Sequence, residues 1–252
     1  MPGIIIAITG ASGSGKSTLS QSLCGLFDDT AVCLSTDFYY KGREPETLIE
    51  DYLKRNFDHP DALLLDRFAH DVGTLLEGNN IRRPQMDFSG GTFIRTDDAV
   101  EVEAKPVIIL EGIFCLHHPK IRELVKEHGY SIYTHAPSAV VLKRVALRDA
   151  TDRHLPYEHT LKTYTGNVFR GYFDFIKPLK TTCNLYLPTW NREENDVSIE
   201  KLTQTAVEGF LPRLPTPLMA TLLLSSSISI TLRDMLEEQR IKNESQCTLE
   251  AV

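Results

Sequence analysis

Several features that would place a chain in a particular protein class are scarce or missing here. Basic residues are not in excess: 27 Lys and Arg stand against 34 Asp and Glu, a net charge of -7. This balance argues against a large nucleic-acid footprint, so no nucleic-acid partner is expected. The five cysteines are odd in number and have no C-x-x-C spacing. Reduced, buried thiols are the simpler interpretation, and they favour a cytoplasmic protein.

Segments suited to export or to a membrane are also lacking. The apolar run at residues 4–8 has neither the basic region nor the small-residue cleavage site of a signal peptide. Residues 217–232 are interrupted by three consecutive serines and are too short to span a bilayer comfortably. We expect packed or irregular structure there, and no membrane partner.

Short aliphatic runs separated by helical stretches predict an α/β fold. Continuous apolar runs suit a parallel sheet covered on both faces, and they occur at residues 4–8, 31–34 and 107–110, with weaker candidates at 130–134 and 184–187. Helical spacing is found at residues 16–27, 61–76 and 138–149, whereas residues 77–105 are predicted to be irregular. A change in composition near Pro212 predicts a domain of residues 1–212 and a C-terminal extension of residues 213–252 of unknown role.

A phosphate-binding loop is predicted directly after the first strand. Gly10-Ala11-Ser12-Gly13-Ser14-Gly15-Lys16-Ser17 fits the pattern G-x-x-x-x-G-K-[ST] and precedes a helix, as the motif requires. Backbone N–H groups of such a loop cradle phosphates, and the helix dipole adds to their binding. Lys16 is predicted to reach the β- and γ-phosphates of ATP, Ser17 to bind Mg²⁺, and Thr18 to complete the nucleotide-binding segment. A flexible Gly/Ser turn is the simpler alternative.

Two acidic residues stand at the ends of predicted strands. Asp37 follows the second strand and Glu111 ends the third. Ligands of open α/β sheets bind beyond the carboxyl ends of the strands, so both acids are directed at the site. Asp37 would accept a proton from an acceptor hydroxyl or position hydrated Mg²⁺, and Glu111 would organise the metal. A turn aspartate and a solvated strand-end acid are the alternatives, but beside a phosphate loop the pair indicates phosphoryl transfer.

A basic helical stretch follows the fourth candidate strand. It carries Arg144, Arg148 and Arg153. Basic groups that close over ATP neutralise the charge on the transferring phosphoryl oxygens, and we expect Arg148 and Arg153 to do so from a lid. The alternative is a solvated helix face.

Together these residues resemble the uridine/cytidine kinase family, within the wider group of phosphoribulokinase-like enzymes. The resemblance covers roughly residues 4–188. Besides the loop and the two acids, it is carried by Asp37-Phe38-Tyr39-Tyr40, Asn56-Phe57-Asp58-His59-Pro60-Asp61-Ala62, Arg148-Asp149 and the segment from Lys177-Pro178 to Pro188.

The resemblance implies a P-loop NTPase fold with a parallel five-stranded sheet, helices on both faces and an arginine-bearing lid. It further implies ATP and Mg²⁺, a nucleoside acceptor such as uridine or cytidine, and Asp37 as the general base. Tyr40, Phe57, Asp58 and Phe88 would line the nucleoside site, with Asp58 on the ribose hydroxyls.

The chain departs from the family pattern where the base of the nucleoside would bind. Met86 replaces a usual tyrosine, a usual histidine near Gly91 is absent, and Leu155 replaces a lid arginine. Another small-molecule kinase, acting on nicotinamide riboside, pantothenate or a sugar phosphate, is therefore the first alternative. A nucleotide-dependent switch is the second, although the chain has no Asn-Lys-x-Asp guanine-reading motif. The sequence leaves open whether the chain forms a homo-oligomer.

Overall fold

A parallel sheet of five strands forms the centre of the structure, a computed structural model that describes residues 3–43, 47–87, 94–152, 154–191, 195–226 and 228–250. Its strands are β1 (Ile4–Gly10), β2 (Ala31–Ser35), β5 (Val107–Glu111), β6 (Gly129–His135) and β7 (Leu185–Pro188). They lie in the order β2-β5-β1-β6-β7, with every pair parallel. All five predicted strands are confirmed.

Helices cover both faces of this sheet. They are α1 (Lys16–Phe27), α2 (Ile49–Leu53), α3 (Leu65–Leu76), α4 (Pro119–His128), α5 (Ser138–Asp152), α6 (Tyr157–Thr163), α7 (Phe169–Gly171), α8 (Ile199–Phe210), α9 (Thr216–Leu224) and α10 (Ile230–Glu250). Short helical turns lie at Thr36–Tyr39 and Pro60–Ala62, and π-helical turns at Tyr164–Val168 and Tyr172–Ile176 flank α7.

The central strand shows why the apolar runs are continuous. Side chains of a strand alternate between the two faces of a sheet. Ile4, Ile6 and Ile8 belong to the core layer that contains residues of α1, α8, α9 and α10. Ile5 and Ala7 belong to the opposite layer, with residues of α3 and α4. Because both faces of β1 are buried, apolar side chains are favoured on both.

Helix α3 begins later than predicted. The helical spacing indicated a start at residue 61, but the α-helix begins at Leu65. Pro60–Ala62 forms a separate 3-10 turn, capped by His59 Nδ1, which accepts a hydrogen bond from the Asp61 N–H at 3.1 Å. Leu63 then pairs with Tyr40 as an isolated β-bridge, and this long-range contact interrupts the helix.

The prediction that residues 77–105 are irregular is wrong. Two antiparallel strands, β3 (Ile81–Asp87) and β4 (Ile94–Val102), form a hairpin there. These strands are rich in charged residues and lack the apolar runs of the central sheet, so no hydrophobic signal revealed them. Two very short strands, β8 (Trp190–Asn191) and β9 (Asn195–Asp196), form a second small ladder.

The C-terminal segment packs on the same core as the sheet. Residues 216–224 are helical, so the irregular alternative for this stretch is wrong. Leu218, Leu222, Leu232 and Leu236 are buried in the layer that contains Ile4. The division into a domain of residues 1–212 and an extension stays a prediction. No helix among the described residues is both long and apolar enough to cross a membrane.

Cysteine burial differs from the expectation. Of the four cysteines with described side chains, Cys115 is buried, Cys24 and Cys183 are half-buried, and Cys33 is exposed. All four are free thiols. Cys33 is exposed because β2 is an edge strand of the sheet.

Candidate active site

The loop of residues 10–17 joins the end of β1 to the start of α1. Gly13 has a φ of 74°, and a Cβ at this position would lie 2.8 Å from Val145 Cγ2. Glycine is therefore required there. Ser14 Oγ lies 2.7 Å from Thr134 Oγ1, which ties the loop to β6. The loop is held at the N-terminus of α1, the arrangement that binds phosphate groups.

Arg144 on α5 supports this loop from outside. Its guanidinium donates to the carbonyl oxygen of Gly13 at 3.2 Å and to Thr189 Oγ1 at 3.0 Å. It also donates to the Thr189 carbonyl at 3.0 Å and to Asp196 Oδ1 at 2.6 Å. One side chain therefore connects the loop, α5 and the segment after β7. The sequence indicated only a basic helix, and this contact set was missed.

Lys16 is buried at the centre of the site. Its side chain is 7% exposed, and Nζ donates to the Ala11 carbonyl oxygen at 2.8 Å. Burial lowers the pKa of Lys16, while the negative charges of Glu111 and Asp37 act in the opposite direction. The charges of the two strand-end carboxylates therefore act on the Lys16 ammonium.

Glu111 ends β5 directly opposite the loop. The carboxyl group is buried, and its Oε2 accepts a hydrogen bond from Ser17 Oγ at 3.2 Å. A hydroxyl beside a carboxylate offers the hard oxygen ligands that Mg²⁺ prefers. Within the described parts of the chain, no group of three or more His, Cys, Asp or Glu forms a metal cage. This donor set suits Mg²⁺, which is commonly bound by one or two carboxylates together with substrate phosphates.

Asp37 lies on the turn that follows β2, next to β5. Ser35 pairs with Glu111 in the sheet register, so the two acids leave adjacent strand ends. The Asp37 N–H donates to Ser35 Oγ at 3.2 Å, and the side chain is exposed. Thr36 packs so closely on Gly112 that a Cβ at Gly112 would lie 1.8 Å from Thr36 Oγ1. This contact fixes the two acidic turns against each other.

A cleft that is partly open to solvent adjoins the loop. Ala11 and Ser12 form one side, Asp58 contributes a carboxyl group, and the remaining lining is apolar or aromatic: Ile113, Ala136, Val141, Tyr164, Val168, Phe169, Tyr172 and Ile176, with Ser138. Burial raises the pKa of Asp58 to about 6. The cleft therefore combines an apolar wall with one titratable acid, as small-molecule sites commonly do.

Tyr40 and Phe57 form a packed pair next to Asp58. Tyr40 is 7% exposed, and its hydroxyl donates to the Phe57 carbonyl oxygen at 3.2 Å. The two rings meet edge to face, with centroids 6.2 Å apart. Gly171 backs Asp58 so closely that a Cβ there would lie 2.2 Å from the Asp58 carbonyl oxygen. These contacts hold the Asp58 segment in place.

This arrangement has relatives among known proteins. A sequence model of the Phosphoribulokinase / Uridine kinase family matches residues 5–197. The chain belongs to this family. Uridine kinase of Clostridium novyi (strain NT) is 34% identical over 209 residues, which is 82% of this chain and 98% of that protein. Uridine kinase of Clostridium perfringens (strain 13 / Type A) is 32% identical over 204 residues, which is 80% of this chain and 95% of that protein.

Solved structures agree on the fold. A proposed fructose transport system kinase from Silicibacter sp. TM1040 has a TM-score of 0.59 and 25% identity, and it covers 75% of this chain and 91% of its own. YFH7 from Saccharomyces cerevisiae, a proposed P-loop kinase, has a TM-score of 0.55 at 10% identity, over 75% of this chain and 93% of its own. The predicted α/β P-loop NTPase fold is confirmed, and the chain is a small-molecule kinase of this family.

Arg148 lies on the same helix as Arg144, one turn further along. It donates to Asp149 Oδ1 at 3.0 and 3.3 Å, and the buried Asp149 also accepts a hydrogen bond from Thr160 Oγ1 at 3.0 Å. The Arg148 charge acts to lower the pKa of Lys16, so the two cations face the same region.

Some predicted residues lie outside the part of the chain that the structure describes. These are Phe88 and Arg153 of the predicted site, together with Gly90 and Gly91. Met86, which replaces the family tyrosine, is 5% exposed on β3. Besides Arg144, the sequence missed the aromatic wall of the cleft. Only the aromatic content of residues 164–176 could have indicated it.

Proposed function

We propose that the protein transfers the γ-phosphoryl group of ATP to the 5′-hydroxyl of a nucleoside, with uridine and cytidine as the leading acceptors. The observation that carries this proposal is the convergence of Lys16, Asp37 and Glu111 at adjacent strand ends beside the phosphate loop. The loop and the acids would supply a donor site and a base, and the adjoining cleft, lined by Asp58 and aromatic side chains, would receive the acceptor. The relatives named uridine kinase supply the acceptor class.

Residues 10–18 would bind the phosphates of ATP. The backbone N–H groups of the loop and the α1 N-terminus bind the phosphate oxygens, and Lys16 contacts the β- and γ-phosphates. Its hydrogen bond to the Ala11 carbonyl, at 2.8 Å, pre-orients the ammonium for this contact. Arg148, together with Arg153, would approach the transferring phosphoryl group from the opposite side as a lid.

Ser17 and Glu111 are the residues that would hold Mg²⁺. Their oxygens lie 3.2 Å apart, and both are ligands of the type this ion prefers. When bound, the metal would neutralise charge on the phosphate oxygens. Glu111 would also orient the Ser17 hydroxyl, because it accepts the hydrogen bond from it.

Asp37 would act as the general base. Its carboxylate would take the proton of the 5′-hydroxyl as that oxygen forms its bond to the γ-phosphorus and the bond from phosphorus to the β,γ-bridging oxygen breaks. ADP leaves with the bridging oxygen, and the proton passes from Asp37 to solvent. The exposed side chain and its nearness to Lys16 suit this role.

Asp58 would bind the ribose hydroxyls of the acceptor. A pKa of about 6 leaves this carboxyl group ionised at neutral pH and able to accept two hydrogen bonds. Tyr40 and Phe57 would support it, and Phe88 would pack on the base. Few polar side chains remain to read the base, since Met86 is apolar and buried.

The test is acceptor-dependent ADP release by the purified protein with uridine, cytidine, thymidine, deoxycytidine, nicotinamide riboside, pantothenate and ribulose 5-phosphate. We expect turnover with uridine and cytidine, a cost of about 1 kcal/mol, a few-fold in kcat/KM, for exchanging the two bases, and strong loss without the 2′-hydroxyl. Asp37→Asn should lower kcat by about 10² to 10⁴ and leave ATP binding nearly intact. Near-normal kcat in this variant would show that Asp37 is not the base.

A second candidate is a kinase for another small hydroxyl-bearing metabolite. The structural likeness to a proposed fructose transport system kinase and the apolar Met86 position favour it. Turnover with a non-nucleoside acceptor, and none with any nucleoside, would move the assignment there. ATP turnover that needs no acceptor at all would contradict both kinases and point to a nucleotide-dependent switch.

A further inference from the structure

A buried carboxylate outside the cleft joins the turn that carries Asp37 to the β3–β4 hairpin. Asp71 on α3 is 3% exposed and accepts a hydrogen bond from Tyr39 Oη at 2.8 Å. Arg67 Nε donates to both Asp71 oxygens, at 2.9 and 3.0 Å. Arg67 Nη2 donates to the Arg82 carbonyl oxygen on β3 at 2.6 Å. Together, Tyr39, Arg67, Asp71 and the Arg82 carbonyl form the Asp71 network.

The Asp71 network is held together because a buried charge must keep its partners. A carboxylate that loses a hydrogen-bond donor after leaving water keeps its desolvation penalty without compensation. Tyr39 remains a donor, since burial first and the Asp71 charge second raise the pKa of Tyr39 far above its ordinary value. The Tyr39 ring is also packed against Phe68, edge to face, with centroids 5.1 Å apart. The position of Tyr39 is thereby fixed.

A second contact ties the same turn to the hairpin. Phe38 lies between Asp37 and Tyr39 in the chain, and the Arg83 guanidinium of β3 lies 3.7 Å from the centroid of its ring. The Leu64 N–H donates to the Tyr39 carbonyl oxygen at 2.7 Å, which anchors the far side of the turn before α3. The two residues after Asp37 are therefore held by α3 on one side and by β3 on the other.

We propose that Asp71 and Tyr39 are positioning residues for phosphoryl transfer, acting through Asp37. The Asp71 network would hold the turn of Asp37 at a fixed position relative to β3, the hairpin strand that carries Met86. The proposed base and the strand that would cover the acceptor would then keep the same relative position. This inference rests on the proposed role of Asp37 as the base. A base must lie within about 3 Å of the proton that it removes, and a displacement of 1 Å can cost about a hundredfold in rate.

The first test compares Tyr39→Phe and Asp71→Asn with the wild type in acceptor-dependent phosphoryl transfer. Tyr39→Phe removes a single hydroxyl and keeps the ring, so the fold is expected to survive. We expect kcat to fall about 5- to 20-fold, with the KM for ATP within twofold, because the loop of residues 10–17 makes none of the contacts named for the network. Rates are normalised to the concentration of ATP-binding sites, which removes any contribution from unfolded protein.

Tyr130→Phe is the matched control. Tyr130 is 6% exposed on β6 and belongs to the core layer on the opposite face of the sheet. The Tyr130→Phe variant should keep the kcat of the wild type. The Tyr39→Phe change is then repeated in an Asp37→Asn background, where an effect that acts through Asp37 should largely disappear. A merely structural role would give the same loss in both backgrounds.

The inference is overturned if both network variants keep kcat within twofold of the wild type, or if their losses are additive with Asp37→Asn. A wild type that transfers no phosphoryl group to any acceptor would overturn the proposed function instead. Hydrogen exchange then still tests the coupling: in Tyr39→Phe, backbone amides of residues 37–39 and of β3 should lose protection together. Unchanged exchange in β3 would overturn the coupling.

Discussion

Charge on the Asp58 carboxylate is expected to cost folding stability at neutral pH. Burial raises its pKa from an ordinary 3.8 to about 6. Each pKa unit corresponds to about 1.4 kcal/mol, so the full shift amounts to about 3 kcal/mol. Because Asp58 is only half-buried and lines an open cleft, solvent and relaxation reduce this figure. We expect Asp58→Asn to stabilise the free protein by about 1 to 2 kcal/mol at pH 7.5.

The pH dependence follows from the direction of the shift. An acid with a raised folded-state pKa binds more protons in the folded than in the unfolded protein between pH 3.8 and about 6. Stability therefore falls as pH rises through this window and is constant above it. The amide of the Asp58→Asn variant would not titrate, so the advantage of the variant should be small at pH 4, grow up to pH 6 and then level off.

The assay is urea unfolding of both proteins at several pH values between 4 and 8, without ligands, followed by KM measurements. Taking the difference between variants cancels the titration of every other group. Asp174→Asn, at an exposed carboxylate, is the control and should leave the urea midpoint unchanged. Parallel curves for Asp58→Asn and the wild type, or a less stable variant at pH 8, would refute the reasoning. Asp58→Asn should also raise the KM for the nucleoside, since the variant gains stability but loses the carboxylate that would bind the ribose hydroxyls.

Three further predictions concern the loop and its surroundings. Arg148→Ala should lower kcat more than it raises the KM for ATP, because a charge directed at the transferring group acts mainly in the transition state. Steady-state kinetics at varied ATP concentrations measures both constants, and an unchanged kcat would contradict this prediction. Arg144→Gln should weaken ATP binding about tenfold or more, measured by titration, since the Gly13 and Thr189 contacts hold the loop; unchanged affinity would show that the loop needs no such support. Gly112→Ala should unfold at a clearly lower temperature than the wild type, because its Cβ would clash with Thr36. Gly25→Ala, which has open space around it in α1, should instead gain about 0.5–1 kcal/mol of stability. Equal melting temperatures for the two variants would refute the Gly112–Thr36 contact.

Local patterns were sufficient for the central sheet and the loop. The continuous apolar runs identified β1, β2 and β5, and β6 and β7 were the weaker candidates. The signal is clearest for β1 and β5, because a strand buried along its whole length has no polar side. The loop was identified from glycine and lysine spacing together with its position between β1 and α1. The edge location of Asp37 and Glu111 followed from the rule that ligands bind at the carboxyl ends of parallel strands.

Local patterns failed where contacts distant in sequence decide the structure. The β3–β4 hairpin has no apolar alternation strong enough to reveal it, and its strands are defined by pairing with each other. The start of α3 is displaced by the bridge between Tyr40 and Leu63. The Asp71 network likewise joins Tyr39 to a residue 32 positions later in the chain. Helix and strand periodicity cannot predict a contact between residues so far apart in sequence.

The sequence by itself determined the fold class, the phosphate loop, the two strand-end acids and the family. These depend on short segments whose residue types are set by burial or by backbone geometry, and such requirements are visible one segment at a time. Only the tertiary structure decided that Arg144 supports the loop across 131 residues, that Tyr164 and Tyr172 wall the cleft, and that Asp58 is buried enough for its pKa to rise. Those properties arise from the low-dielectric environment and the hydrogen-bond partners that packing creates, and packing brings together residues from distant parts of the chain.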